Sequence, residues 1–138
     1  MRLNPLFRWA LYGVFAVLFT TGGVWLIADW QKSVSGEDFW QVLAAWLLML
    51  HGGAAMVTLL LLGALIPLHA QRAWRSKRNR LSGSVMVTLN SVLVATSFGL
   101  YYFSSETLRP WMSDVHIGAG FCLPALLFVH IVLGRRRP

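Results

Sequence analysis

The residues of this chain best suited to chemistry are its four histidines. His51 and His69 share one apolar stretch, and His116 and His130 share another. An ionisable side chain inside a bilayer is costly, so it is kept where it has a partner and a task. Imidazole binds metals through a neutral ring nitrogen. Two imidazoles on facing helices fill both axial positions of a haem iron, which then carries electrons and has no position for oxygen. Two histidines on each of two helices therefore suit two haem b groups at two depths, bound without covalent links. A single-haem version and non-haem roles remain open alternatives.

The elements that must position these histidines follow from charge. Stretches 9–28, 39–71, 81–105 and 115–134 hold no Asp, Glu, Lys or Arg. A bilayer-spanning helix needs about 20 mostly apolar residues. The expectation is an all-α integral membrane protein, an up-down four-helix bundle in a single domain. Its helices should run near 8–28, 39–70, 82–104 and 112–134. The first segment is read as a retained helix, since its apolar run is longer than that of a cleaved signal.

Arg2, Arg8, Arg72, Arg75, Lys77, Arg78, Arg80, Arg135, Arg136 and Arg137 fall on one side of this topology, against Lys32 and Arg109 on the other. All five acids (Asp29, Glu37, Asp38, Glu106, Asp114) lie with that minority. The positive-inside rule then puts both termini in the cytoplasm. The net charge of +7 reads as a topology signal that also attracts anionic lipid headgroups. Nucleic acid is excluded as a partner, because no soluble fold remains to carry a basic face. Trp30, Trp40, Trp74 and Trp111 lie near helix ends, as interfacial anchors do. The single cysteine, Cys122, excludes a Cys-x-x-Cys-His attachment of haem.

Spacing orders the histidines. From His51 to His69 is 18 residues, five whole turns of a straight α-helix and roughly 27 Å. From His116 to His130 is 14 residues, roughly 21 Å with an angular offset of about 40°. The second and fourth helices are parallel, and depth pairs His51 with His116 and His69 with His130. The outer pair differs in height by roughly 6 Å, which tilt and a bend at Pro67 can absorb. Ala44, Ala55 and Thr58 share the histidine stripe. Gly120, Gly134 and Gly99 offer either close approach to a macrocycle or ordinary helix packing.

Arg72, Arg75 and the rest of the 72–80 segment, with Arg135, are candidates for the inner haem propionates. Arg109 and Lys32 are candidates for the outer ones. Asn90, Thr88 and Ser91 are expected to bond across helices. A single metal site using all four histidines is excluded by distance. A proton or solute transporter is the main competitor, and it would call for intramembrane acids that these helices lack.

The His51-Gly52-Gly53 segment, the Leu65-Ile66-Pro67-Leu68-His69 end of the second helix and the His116…Pro124…His130 pattern carry a resemblance. Over residues 40–134 the chain resembles bacterial di-haem b-type membrane cytochromes with a four-helix core. These include the formate dehydrogenase gamma subunit, hydrogenase cytochrome subunits and small quinone-linked cytochromes b. The resemblance implies a multi-pass protein of the bacterial inner membrane that relays electrons between quinone or quinol and a redox partner subunit. It would be an electron-transfer protein, or the membrane subunit of a quinone-linked oxidoreductase, with a partner subunit or a second copy beside it. Candidate quinone contacts are Arg109, Trp111 and Asp114 outside, or Trp74 and Arg75 inside. Two departures stand out. Only two helices supply ligands, and the 18-residue spacing exceeds the 14 of the fourth helix. The rival expectation is a haem-free four-helix scaffold or transporter-like subunit.

Overall fold

A computed structural model describes residues 4–77 and 79–136, with the side chain of Arg136 excepted. The basic positions Arg2, Arg78 and Arg137 therefore lie outside the described residues. Everything regular among the described residues is helical: α1 (Pro5–Ser35), α2 (Asp38–Leu65), a π-helical turn (Ile66–Ala70), α3 (Gln71–Arg75), α4 (Arg80–Tyr102) and α5 (Leu108–Arg136). Four of the helical runs, Pro5–Ser35, Asp38–Arg75, Arg80–Tyr102 and Leu108–Arg135, are long and apolar enough to cross a membrane. Their outward residues are apolar as well: Met56, Leu60, Phe121 and Phe128 are exposed. Such faces suit lipid, and a helix satisfies its own backbone there.

Helix ends follow capping chemistry more closely than the charge-free stretches. Asn4 Oδ1 accepts from the Leu6 N–H at 2.9 Å, with Pro5 at the first helical position. Here the helix needs no donor from proline, and an Asn cap satisfies an orphan N–H. At the far end Gly36 takes the left-handed conformation (φ 68°) that closes α1 and is cheap only for glycine. Thus α1 overruns the expected 8–28 at both ends. Asp29 and Lys32 are absorbed as an i,i+3 ion pair at 2.6 Å. α5 likewise begins earlier than expected and ends later.

The described part of the 72–80 segment is helical at both ends, with a turn between. Arg72 and Arg75 belong to α3, and Arg80 opens α4. Between them Lys77 (φ 56°) and Asn79 (φ 50°) adopt left-handed conformations. Arg80 spans the turn. Its Nε and Nη2 donate to the Trp74 carbonyl at 3.2 and 3.0 Å, and its guanidinium lies 5.1 Å from the Trp74 ring centroid. A helix-terminal carbonyl gains a charged donor, and the cation gains an aromatic face.

Two prolines mark the histidine-bearing helices, each four residues after a glycine. Pro67 follows Gly63, and Pro124 follows Gly120. Proline has no N–H to donate to the i−4 carbonyl and crowds it. At Pro124 the α-helix continues. At Pro67 the chain switches to the π turn, in which Gln71 N–H bonds the Ile66 carbonyl. An i→i+5 turn takes in one more residue than an α turn. The straight-helix phase carried from His51 therefore does not hold at His69, and this corrects the expected five whole turns.

The chain divides into two compact units, Met1–Gln71 and Arg72–Pro138. In the first, α1 packs on α2, and in the second α4 packs on α5. Each unit is an antiparallel hairpin. Buried positions recur at seven-residue spacing: Thr21 and Ala28 on α1, and Ala44 and Thr58 on α2 with His51 midway between them. On α5, His116, buried Leu123 and His130 keep the same interval. A seven-residue seam is how slightly under-wound helices hold one face to a neighbour.

Candidate functional site

An antiparallel hairpin brings together residues equally distant from its turn. His51 and Thr21 are equidistant from Gly36. His116 and Thr96, and likewise His130 and Ser82, are equidistant from Glu106. All three pairs are hydrogen-bonded through the ring nitrogen Nδ1. Thr21 Oγ1 is 3.0 Å from His51 Nδ1, Thr96 Oγ1 is 2.9 Å from His116 Nδ1, and Ser82 Oγ is 3.1 Å from His130 Nδ1. These histidines are half-buried, as is His69 in its π turn.

Each of these hydroxyls also reaches a carbonyl of its own helix. Thr21 donates its proton to the Val17 carbonyl at 2.6 Å, with Leu18 as a longer acceptor at 3.2 Å. Thr96 does the same with Val92 at 2.7 Å and Leu93 at 3.2 Å. Ser82 donates to Asn79 at 3.3 Å. The direction of each hydroxyl–imidazole bond follows the tautomer of the ring. His51 has the Leu18 backbone as a further hydrogen-bond partner. Metal-binding histidines commonly hold one ring nitrogen against an oxygen while the other ligates. Interhelical hydrogen bonds in membranes average about 0.6 kcal/mol. Fold stability alone is a weak reason to place imidazoles here.

Close approach at His51 depends on Gly22. A β-carbon there would lie 3.2 Å from His51 Cε1 and 3.5 Å from Nδ1. Gly99 is also a close-approach position, but its neighbour is Met112, whose sulfur and methyl occupy the space a side chain would need. The space beside Gly99 is thus taken by a methionine, in line with the helix-packing alternative of its two readings. Gly120 has nothing within 4 Å of its β-carbon position, and Gly134 meets only the Asn79 amide at 3.7 Å. An apolar groove of about 340 Å³ runs along the second hairpin, lined by Ser84, Val85, Thr88, Leu89, Val92 and Leu126. It occupies the level between Ser82 and Thr96.

The other expected site residues are dispersed. Arg72 and Arg75 are exposed on α3, and Arg109 is exposed in the first turn of α5. Arg80 is engaged by Trp74, and Lys32 by Asp29. Asn90, expected to bond across helices, donates to the Met86 carbonyl of its own helix at 2.8 Å. The cross-helix polar contacts come from Thr21, Ser82 and Thr96, which composition did not single out. Reflecting each histidine across its turn would have found them. For His69 that reflection lands on position 3, outside the described residues.

Among the described residues, no three of His, Cys, Asp and Glu gather as a metal-ion site would need. No known protein family, curated protein or solved structure matches this chain.

Proposed function

We propose that this protein is a membrane-embedded di-haem cytochrome b that relays electrons across the bilayer between the quinone pool and a redox partner. One observation carries the reading. His51, His116 and His130, all within membrane-length helices, each meet a hydroxyl of the neighbouring helix at Nδ1, an arrangement common for metal-binding histidines. Haem iron held by two imidazoles supplies a one-electron couple. Order along the helices assigns His51 with His116 to one haem and His69 with His130 to the other. The hydroxyl partners hold the rings, while Gly22 and Gly120 keep bulk away from the histidine-bearing faces. Arg72, Arg75 and Arg109 are the cations assigned to propionates near the two surfaces.

The purified protein should be red, with a b-type reduced-minus-oxidised spectrum and about two haems per chain. A colourless, folded preparation overturns the reading.

The same reading places the four helices in one bundle with both termini and Lys77 on the cytoplasmic side of a bacterial inner membrane. The asymmetry of basic residues supports it. A Lys77→Cys variant lacking Cys122 should react with a membrane-impermeant maleimide in inverted vesicles and stay unlabelled in right-side-out ones. The opposite labelling pattern reverses the topology.

A further inference from the structure

One end of the second unit, Arg72–Pro138, is cationic and aromatic. Trp74, Lys77 and Arg80 are exposed there. A β-carbon at Gly134 would lie 3.7 Å from the Asn79 amide, which puts the exposed Arg135 at this end too. The acids of the unit, Glu106 and Asp114, belong to the opposite end of the hairpin. No Asp or Glu of the unit therefore answers these cations.

Arg80 is held in place. Its Nε and Nη2 donate to the Trp74 carbonyl at 3.2 and 3.0 Å, and its guanidinium lies 5.1 Å from the Trp74 ring centroid. These bonds engage two of its five N–H donors. The rest of the planar fork suits bidentate binding of a phosphate. A group positioned in advance loses less freedom when its ligand arrives. Ser84 and Thr88 follow Arg80 at intervals of four residues, so they share its side of α4. They also line the apolar groove of about 340 Å³, which continues along Val85, Leu89 and Val92 with Leu126 from α5. From 84 to 92 is roughly 12 Å of helix axis. A lengthwise apolar slot thus starts one turn from the fixed arginine, inside a helix of membrane length.

We propose that the second hairpin binds one anionic phospholipid. Its headgroup phosphate rests on Arg80 beside Trp74, with Lys77 and Arg135 adding charge. One acyl chain lies in the groove between Ser84 and Val92. Basic pockets at membrane helices recognise anionic headgroups, and tryptophan sits at headgroup level. The groove gives the lipid a second point of attachment, which a diffuse attraction of charges lacks. The proposal stands apart from the haem reading and requires only that α4 and α5 lie in a membrane.

The test is native mass spectrometry of the full chain released from mixed micelles. These hold equal amounts of phosphatidylglycerol and phosphatidylcholine with the same acyl chains. The wild type should retain a single phosphatidylglycerol; equal retention of the two lipids overturns the proposal. Arg80→Lys keeps the charge and loses the fork. It should lower retention about tenfold, as loss of one charge-assisted hydrogen bond would. Arg8→Gln removes a charge from the other unit and should leave retention unchanged. A general attraction of charges gives the reverse order, and that result sinks the site. The groove is tested with dioleoyl and dihexanoyl forms of phosphatidylglycerol, of which the wild type should prefer the longer. Val85→Phe and Thr88→Phe fill the groove at exposed positions, and each should abolish that preference. Two positions are used so that a folding defect in one leaves the other to decide. Survival of the preference in a folded groove variant overturns the acyl assignment. If the groove variants instead dissociate a dimer and keep their lipid, the groove belongs to a second copy and the proposal fails.

Discussion

His51→Ala and His116→Ala should each lose one haem, and the same one, so that haem content falls from about two per chain to about one. The effect is large because an axial imidazole contributes both a covalent-strength bond and the positioning of the ring plane. Alanine leaves neither. His51 is tied to α1 by Thr21 and the Leu18 backbone, and His116 is tied to α4 by Thr96; each interhelical hydrogen bond in a membrane is worth about 0.6 kcal/mol on average. Unfolding is therefore a poor explanation for any loss of colour. The double variant His51→Ala/His116→Ala should lose no more haem than either single variant. His69→Ala and His130→Ala should spare this haem and remove the other. Redox titration of each variant identifies which component remains. If His51→Ala and His116→Ala remove different components, the ligand pairing is wrong even if the protein is a cytochrome.

Gly22→Leu should empty the His51 site while sparing the other. A β-carbon at position 22 already comes within 3.2 Å of the His51 ring. A branched side chain added there drives the imidazole off the Thr21 hydroxyl. Gly23→Leu is the internal control, since nothing lies within 4 Å of a β-carbon there. Gly22→Ala separates stability from function. Replacing a helical glycine with alanine gains roughly 0.8–1.0 kcal/mol of helix propensity, which offsets the tight contact. Its melting temperature should stay near wild type while the His51 haem shifts in potential. Equal haem loss in Gly22→Leu and Gly23→Leu would count against this contact and point to general damage to α1.

Both outcomes depend on hairpin register, and the residues differ in how far sequence alone reveals it. The charge-free stretches marked the four long helices because a bilayer-length run of apolar residues has few other structures open to it. Their ends were less legible. Asn4, Pro5 and Gly36 cap α1 beyond its apolar stretch, and Asp29 with Lys32 can pair inside a helix. The break in phase at His69 was legible only as a proline. Whether proline bends, breaks or converts a helix to a π turn depends on how the surrounding backbone re-forms its bonds.

Residue types and spacing by themselves determined that this chain is helical, apolar over four membrane lengths, basic at one end of those helices and supplied with four imidazoles. Those properties are sums over local preference and transfer to lipid, so they need no partner helix. Tertiary structure alone decided that Thr21, Thr96 and Ser82 meet the Nδ1 nitrogens, that Met112 occupies the space at Gly99, and that Gly22 admits the His51 ring. A hydrogen bond exists only within a few tenths of an ångström and a narrow range of angles. That precision comes from the packing of α1 on α2 and of α4 on α5.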